Sequence, residues 1–314
     1  MELLKLKPVF KSMIWGGNRL RDRFGLDCPT DNTGEAWVVS AHRQGDCTIV
    51  NGPYAGMTLS TLYQSHRELF GSGDAEEFPL LIKLIDAKDN LSIQVHPDDD
   101  YARQTADSPG KTECWLVLDC GPSSEIVIGH DFSDRTQFEE ALKTNSVQSH
   151  LLRFPVHPGD FFDIPAGTIH AICADTLIYE VQQNSDLTYR IDDYGRIDAQ
   201  GNPRPLHKEQ ALAVTRFPHV AQTVTPQVRV EEALTITTYV DNAFFRVEKI
   251  ECVSKGRFVI DADYGLVGCF STEATINGCV LALGEHALAL QEARTLEIEG
   301  PCTLIISIPN SLLS

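Results

Sequence analysis

The stretch HPGDFFDIPAGTIHAI, residues 157–172, decides the fold of this chain more than any other part of the sequence. Gly159 opens a turn, an apolar strand follows, and Pro165 and Gly167 make a second tight turn just before His170. Proline and glycine in this arrangement end strands rather than continue them. The spacing therefore predicts a turn, a strand and a sharp reversal that places a histidine at the open end of a β-structure, where imidazole can bind a metal.

Strand patterns dominate the sequence around this stretch. Period-2 alternation recurs between Gly, Pro and Asn-Gly turn signals, and the strand candidates are 34–42, 45–52, 79–87, 90–97, 113–120, 124–131, 159–167, 170–174, 176–183 and 187–195. Helical patterns are confined to 59–71 and 133–144, the second with Ser133 as its expected N-cap. Short strands at regular spacing with few helices predict a sandwich or a barrel rather than a parallel α/β sheet.

A domain boundary is expected near 217–227, a Pro-bearing segment with little pattern. Beyond it the sequence again shows short apolar strands, with one histidine, His286, and no cluster of metal-ligand types. We therefore expect two domains, 1–225 with the functional site and 226–314 as a smaller β domain of the same architecture. The second domain is expected to have a structural or interface role.

The composition excludes several classes of partner. The 26 basic and 44 acidic residues give a net charge of −18, which disfavours nucleic acid and anionic membrane surfaces. An anionic substrate would need a local positive pocket. No secretory signal is expected, and no uncharged apolar run approaches the roughly 20 residues of a membrane helix. The nine cysteines are scattered without a C-x-x-C pair, which favours buried thiols in a reducing cytoplasm.

Two further segments carry candidate ligands. In LSIQVHPDDD, residues 91–100, Ser92, Gln94 and His96 share one face of the predicted strand. In GKTECWLVLD, residues 110–119, Lys111 and Glu113 share a face where the apolar run begins. A buried carboxylate is costly unless it is paired or binds a metal. The alternatives are an ordinary solvated strand face for the first segment and a surface Lys-Glu pair for the second.

These motifs together resemble a known family. Residues 159–170 match the second cupin motif, G-x5-P-x-G-x2-H, although Ala174 stands where that motif often has Asn. The first cupin motif, H-x-H and then Glu, is altered, because Gln94 takes the first His position and an insertion precedes Glu113. This alteration resembles the type I mannose-6-phosphate isomerase family, as do IWGG at 14–17, GEAWVVS at 34–40, GKTE at 110–113, PAGTIHA at 165–171 and QQNSDLTYR at 182–190.

The resemblance implies a mostly β fold, a cupin or jelly-roll-like β-barrel with short helices and a smaller C-terminal cupin-like β domain. It also implies one zinc ion per chain, held by Gln94, His96, Glu113 and His170. The residue types agree, since two imidazoles, a carboxylate and an amide oxygen suit a borderline divalent metal. Mn²⁺, Fe²⁺ or Co²⁺ would fit the same ligands.

The implied reaction interconverts mannose 6-phosphate and fructose 6-phosphate through a cis-enediol in the cytoplasm. The resemblance places Arg190 and Lys111 in catalysis and Ser92 and Lys83 near the substrate, although Arg190 also suits a structural salt bridge. Asp186 and Glu180 are second-rank acid/base candidates, and the base itself is not identified. We expect structural or surface roles for His42, His130, His150 and His157 of the first domain.

Two other functions stay open at this stage. A cupin of another enzyme class, such as a metal-dependent oxygenase, is disfavoured by Gln94 and by the insertion before Glu113. A non-catalytic or differently specific sugar-binding cupin is disfavoured because the ligand positions are kept together with Lys111 and Arg190. The sequence leaves a monomer and a dimer equally open.

Overall fold

The structure, a computed structural model, describes residues 2–71, 75–197 and 201–310. The outer ends of the two predicted domains, residues 1 and 311–314, lie outside the described residues. Five α-helices occur in the described ranges, Arg19–Phe24 (α1), Leu59–Ser65 (α2), Asp99–Ala106 (α3), Arg135–Thr144 (α4) and Lys208–Val214 (α5).

The rest of the regular structure is β. The strands of the described residues are Leu4–Lys7 (β1), Val9–Gly17 (β2), Thr33–Val39 (β3), Ala41–His42 (β4), Gly45–Asp46 (β5), Thr48–Ile49 (β6), Leu80–Ala87 (β7), Ile93–Val95 (β8), Glu113–Cys120 (β9), Glu125–His130 (β10), Leu151–Pro155 (β11), Phe161–Ile164 (β12), His170–Ile172 (β13), Thr176–Gln183 (β14), Tyr189–Asp192 (β15), Gln227–Glu231 (β16), Leu234–Asp241 (β17), Phe245–Cys252 (β18), Lys255–Val259 (β19), Gly265–Cys269 (β20), Glu273–Ile276 (β21), Cys279–Ala282 (β22), His286–Ala289 (β23), Thr295–Glu299 (β24) and Cys302–Pro309 (β25).

Two antiparallel sheets face each other in the first part of the chain. A six-stranded sheet has the order β12-β9-β14-β7-β2-β3, and a five-stranded sheet has the order β11-β10-β13-β8-β15. An apolar cluster joins the two, since Ile85 and Trp115 of the larger sheet pack with Ile126 and Ile172 of the smaller one. The mostly β, jelly-roll-like prediction is confirmed. The described strands of this part form two separate sheets that pack face to face, rather than one closed barrel.

Strand β14 lies in the middle of the six-stranded sheet and is buried along its whole length. Its side chains alternate, so Tyr179 and Val181 belong to one apolar cluster on the outer face, whereas Ile178 belongs to the cluster between the sheets. Glu180 and Gln182 have the same parity as Ile178 and therefore face the interior. This strand connects the functional interior to the C-terminal block.

The C-terminal block is a second β-sandwich. An eight-stranded sheet, β16-β17-β18-β25-β20-β23-β1-β6, and a four-stranded sheet, β19-β24-β21-β22, share one apolar cluster. Strand β1 pairs with β23, so the N-terminal strand lies in the sheet of the C-terminal block. The division at residues 225 and 226 stays a prediction, and the contact of β1 ties the two predicted domains together.

The secondary structure differs from the prediction mainly at helices. The predicted helix 59–71 divides into α2 and a 3₁₀ turn, Arg67–Phe70. Helix α4 is present, but its N-cap is Asp134 rather than Ser133, because the Asp134 carboxylate accepts from the Thr136 and Gln137 amides. Helix α3 lies in the insertion before Glu113, where the sequence predicted no helix. It is capped by Asp98 and ends at Asp107, which has a positive φ of 48°.

No helix among the described residues is long and apolar enough to cross a membrane. All nine cysteines are free thiols, and eight of them are buried. This agrees with the expected role of the cysteines as small apolar side chains in the core.

Candidate metal centre

Three of the predicted ligands converge between the two sheets. His96 follows β8, Glu113 begins β9 of the facing sheet and His170 begins β13. Their ligand atoms all lie within 4.8 Å of one another. The two Nε2 atoms are 3.1 Å apart, and each lies 3.4 Å from one oxygen of the Glu113 carboxylate. All three side chains are buried, so water is largely excluded from the centre.

The Pro-Gly turn predicted from the sequence brings His170 to this place. Gly167 has a φ of +87°, a left-handed conformation that favours glycine, and its amide donates to the His96 carbonyl at 2.8 Å. A Cβ atom there would lie 2.9 Å from the Val214 carbonyl oxygen. The turn therefore needs this glycine in order to hold the segment before His170 against the segment after β8.

Backbone carbonyls orient both imidazoles. The Nδ1 atoms of His96 and His170 lie 2.9 Å from the carbonyl oxygens of Leu187 and Thr168, respectively. Nδ1 is then the protonated nitrogen in each ring, which leaves the lone pair of Nε2 pointing into the centre. Burial, together with the Lys111 charge, lowers the pKa of His96 to about 3, and burial lowers the pKa of His170. Both rings are thus neutral ligands near pH 7.

Gln94 lies at the side of this centre. It pairs with His170 across β8 and β13, and its Nε2 is 3.4 Å from His170 Nε2. Its Oε1 accepts from Ser92 Oγ at 3.2 Å. The predicted polar face of Ser92, Gln94 and His96 is therefore present. A half-turn of the terminal amide would point Oε1 toward the imidazole.

Lys111 contacts the same group of atoms. Its Nζ donates to Glu113 Oε2 at 2.5 Å and lies 3.0 Å from His96 Nε2. Burial acts to raise the pKa of Glu113, but Lys111 and the two imidazoles keep that pKa well below its usual range. The carboxylate is therefore anionic, and its Oε1 has no hydrogen-bond partner among the described residues. An unsatisfied buried carboxylate oxygen beside two neutral imidazoles fits a divalent metal.

A second polar layer lies in the six-stranded sheet, two residues along β9 and β14 from the level of Glu113. Lys83 Nζ is 3.1 Å from Glu180 Oε2 and 3.8 Å from Glu35 Oε2. Trp115 Nε1 donates to Glu180 at 3.1 Å, and Trp37 Nε1 donates to Glu35 at 2.7 Å. Lys83 is thus neutralised by two acids. The sequence predicted Lys83 near the substrate but missed Glu35 and both tryptophans, although an acid within the apolar run GEAWVVS was an available signal.

Arg190 occupies a different position from the two lysines. It pairs with Gln94 across β15 and β8, so its side chain leaves the sheet on the same side as Gln94. Nη1 donates to the Pro205 carbonyl at 3.0 Å, and Nε is buried without a hydrogen-bond partner among the described residues. Burial and the nearby Arg204 lower the Arg190 pKa. None of the described carboxylates forms an ion pair with it, which makes the predicted structural salt bridge of Arg190 the weaker interpretation.

The remaining candidates lie apart from the metal ligands. Asp186 is exposed, and His157 is also exposed. His150 pairs with Asp131 at 2.7 Å, and His130 packs against Phe132 with ring centroids 5.2 Å apart. These contacts agree with the expected structural or surface roles. The fold and the buried ligand set together define a cupin-like class of protein with a metal-ligand group between its sheets.

Comparison with known proteins identifies the family. The model of the type I phosphomannose isomerase catalytic domain matches residues 3–114. The chain is 43% identical over 311 residues to the mannose-6-phosphate isomerase ManA of Bacillus subtilis, with 98% of each chain covered. It is 38% identical over 313 residues to the mannose-6-phosphate isomerase of Streptococcus mutans, covering 98% of this chain and 99% of that protein. The chain belongs to the type I phosphomannose isomerase family.

Solved structures agree. The crystal structure of the mannose 6-phosphate isomerase from Bacillus subtilis superposes with a TM-score of 0.95 at 39% identity, covering 98% of this chain and 99% of that one. A putative mannosephosphate isomerase from Archaeoglobus fulgidus, at 19% identity and a TM-score of 0.78, shares the fold. The family and cupin predictions from the sequence motifs are confirmed.

Proposed function

We propose that this protein interconverts mannose 6-phosphate and fructose 6-phosphate with one zinc ion per chain. The observation that carries the proposal is the convergence of His96, Glu113 and His170 in a buried centre. We assign Gln94, whose side-chain amide lies 3.4 Å from His170 Nε2, as the fourth ligand. Relatives of 38% and 43% identity that bear the name mannose-6-phosphate isomerase support the substrate. Nine free cysteines support a reducing, cytoplasmic environment.

The metal ligands and the neighbouring Lys111 and Glu180 have different roles in this proposal. A divalent metal held by these ligands would act as a Lewis acid on the sugar oxygens. Lys111 Nζ lies 2.5 Å from the liganding carboxylate, so it is placed to hold a proton beside the reacting oxygens. Glu180 is a second buried acid, and its pKa is raised by burial, although Lys83 opposes that rise. The raised pKa of Glu180 suits the base that a cis-enediol mechanism needs near neutral pH.

The phosphate requires a positive pocket in a protein of net charge −18. Lys83 is engaged by Glu180 and Glu35, and Lys111 by Glu113. Arg190 forms no ion pair with a described carboxylate and shares its strand pair with Gln94. We therefore assign the substrate anion to Arg190 first, and we assign Lys83 to holding the polar layer together. Ser92, which donates to Gln94, is assigned to orienting that ligand.

A coupled spectrophotometric assay tests the proposal. The purified protein should form fructose 6-phosphate from mannose 6-phosphate, lose activity on prolonged chelation and regain it with Zn²⁺. His170→Ala should abolish turnover, whereas His157→Ala, at a histidine whose side chain is 79% exposed, should not change it. Binding of mannose 6-phosphate without turnover would instead support the non-catalytic sugar-binding alternative. Full activity in a metal-free sample would contradict the metal dependence.

A further inference from the structure

Gln183, the last residue of β14, joins two other segments through its side-chain amide. Its Oε1 accepts from the Thr112 amide at 2.9 Å, and its Nε2 donates to Asp99 Oδ1 at 3.0 Å. Its own amide donates to the Thr112 carbonyl at 3.1 Å, so it pairs both backbone groups of Thr112. Gln183 is 6% exposed and its contacts are shielded from water.

The hydrogen bonds continue beyond Gln183 on both sides. Asp99 Oδ1 also accepts from the Gly110 amide at 2.8 Å, which closes the segment between Asp99 and Gly110. On the other side, Thr112 Oγ1 accepts from the Ala166 amide at 3.2 Å. The side chains of Asp99, Gln183 and Thr112, together with the backbone amides of Thr112 and Ala166, therefore form one connected chain of hydrogen bonds.

This chain of hydrogen bonds reaches every segment that delivers a metal ligand. Asp99 follows His96 by three residues, Thr112 lies between Lys111 and Glu113, and Ala166 precedes His170 by four. No ligand atom of the centre takes part in it. A metal site requires its ligands to be held within about half an ångström, and residues outside the coordination sphere supply that constraint.

We propose that Gln183 is a positioning residue that fixes the distance between Glu113 and the two histidines and thereby sets the metal affinity. The inference rests on the proposed metal-dependent function. A role of Gln183 in packing alone can be separated from this positioning role, because an apolar side chain of similar length would fill the same space. Such a side chain would leave the Thr112 amide without its partner and release Asp99.

The test compares metal affinity in variants with a matched control. Gln183→Met keeps the volume and removes both side-chain hydrogen bonds, and Thr112→Val removes the bond to Ala166. Thr33→Val is the control, because Thr33 is also buried and its hydroxyl donates to the Thr30 carbonyl at 3.0 Å, outside the ligand-bearing segments. Competition with a chelator gives the Kd for Zn²⁺, and the visible spectrum of the Co²⁺-loaded protein reports the ligand geometry.

We expect Gln183→Met and Thr112→Val each to raise the Kd by roughly tenfold and to alter the Co²⁺ spectrum. In the double variant, the fold-increase in Kd should be smaller than the product of the two single increases, because both changes interrupt the same chain of hydrogen bonds. Thr33→Val should lower the melting temperature without changing the Kd. A folded Gln183→Met with native Kd and spectrum would overturn the inference, and if that variant does not fold, Thr112→Val decides in the same way. A native protein that binds neither ion would overturn the proposed function itself.

Discussion

Lys83→Met tests the buried polar layer beside the metal centre. Lys83 is 4% exposed, and its ammonium lies 3.1 Å from Glu180 and 3.8 Å from Glu35. Methionine preserves the apolar stem but removes the charge, so both carboxylates lose their counter-ion. Breaking a buried ion pair from one side costs about 3–5 kcal/mol. The indole donors of Trp37 and Trp115 remain, so we expect a loss of about 3 kcal/mol at pH 7, the lower end of that range.

The double variant Lys83→Met/Glu180→Gln should recover most of this loss. It removes one of the two carboxylates left without a counter-ion, and the Gln amide oxygen can still accept from Trp115 Nε1. We expect a net loss of about 1–2 kcal/mol relative to the native protein, because Glu35 keeps its bond from Trp37. The two single changes should therefore be strongly non-additive.

The pH dependence gives an independent check. Burial already raises the pKa of Glu180 in the folded protein, and removal of Lys83 should raise it further. The unfolded pKa of a Glu carboxyl is about 4.3. A carboxyl whose pKa is higher in the folded protein contributes its full stability at pH values below the unfolded pKa. This stability is lost as pH rises through the folded pKa. The deficit of Lys83→Met should therefore be larger at pH 7 than at pH 5.

Urea unfolding of the metal-loaded proteins, followed by circular dichroism, measures these differences as changes in midpoint at constant slope. A loss below about 1 kcal/mol for Lys83→Met would refute the reasoning, and so would additivity in the double variant. Turnover measured alongside separates the two assignments of Lys83. A rise in KM for mannose 6-phosphate in the single variant Lys83→Met, with kcat unchanged, would place Lys83 at the substrate, as the sequence predicted.

Three other changes have defined outcomes. His170→Ala should lower the metal content measured by atomic absorption more than Gln94→Ala, because imidazole is the stronger ligand. Arg190→Ala should lower kcat/KM by about 100-fold or more, and Arg190→Lys should not restore it, because Lys lacks the planar fork. A penalty that shrinks on unphosphorylated mannose would place the phosphate at Arg190. Burial lowers the pKa of His286 to about 4, so this group stabilises the fold above about pH 6.5 and that stability is lost as pH falls. Between pH 6.5 and pH 4, the free energy of unfolding should therefore fall by about 3 kcal/mol less in His286→Leu than in the native protein. Urea unfolding measures this difference, and turnover should be unchanged.

The sequence predicted the strands and the convergence of His96, Glu113 and His170, because each depends on local pattern. Short apolar runs mark β7, β9 and β14, and the Pro165–Gly167 turn marks the approach to His170. Helix α3 was missed because its polar composition resembles that of a loop, and its Asp98 cap has meaning only when the strands on both sides are in place. The partners of Lys83 come from strands β3 and β14, far from it in sequence. Only the sheet order reveals that contact.

The C-terminal block explains how this interior tolerates so many buried charges. Ion pairs such as Lys83 with Glu180 contribute little net stability once their desolvation is counted. The outer face of the six-stranded sheet instead stabilises the fold by burying apolar side chains. Its residues, such as Tyr179 and Val181, share one apolar cluster with Leu266 and Ile305 of the C-terminal block and with Leu4 and Leu6 of β1. Burial of that outer face fixes β14, and β14 in turn positions Glu180 and Gln183. The C-terminal block therefore supports the centre from behind, although none of its described residues joins the metal-ligand group.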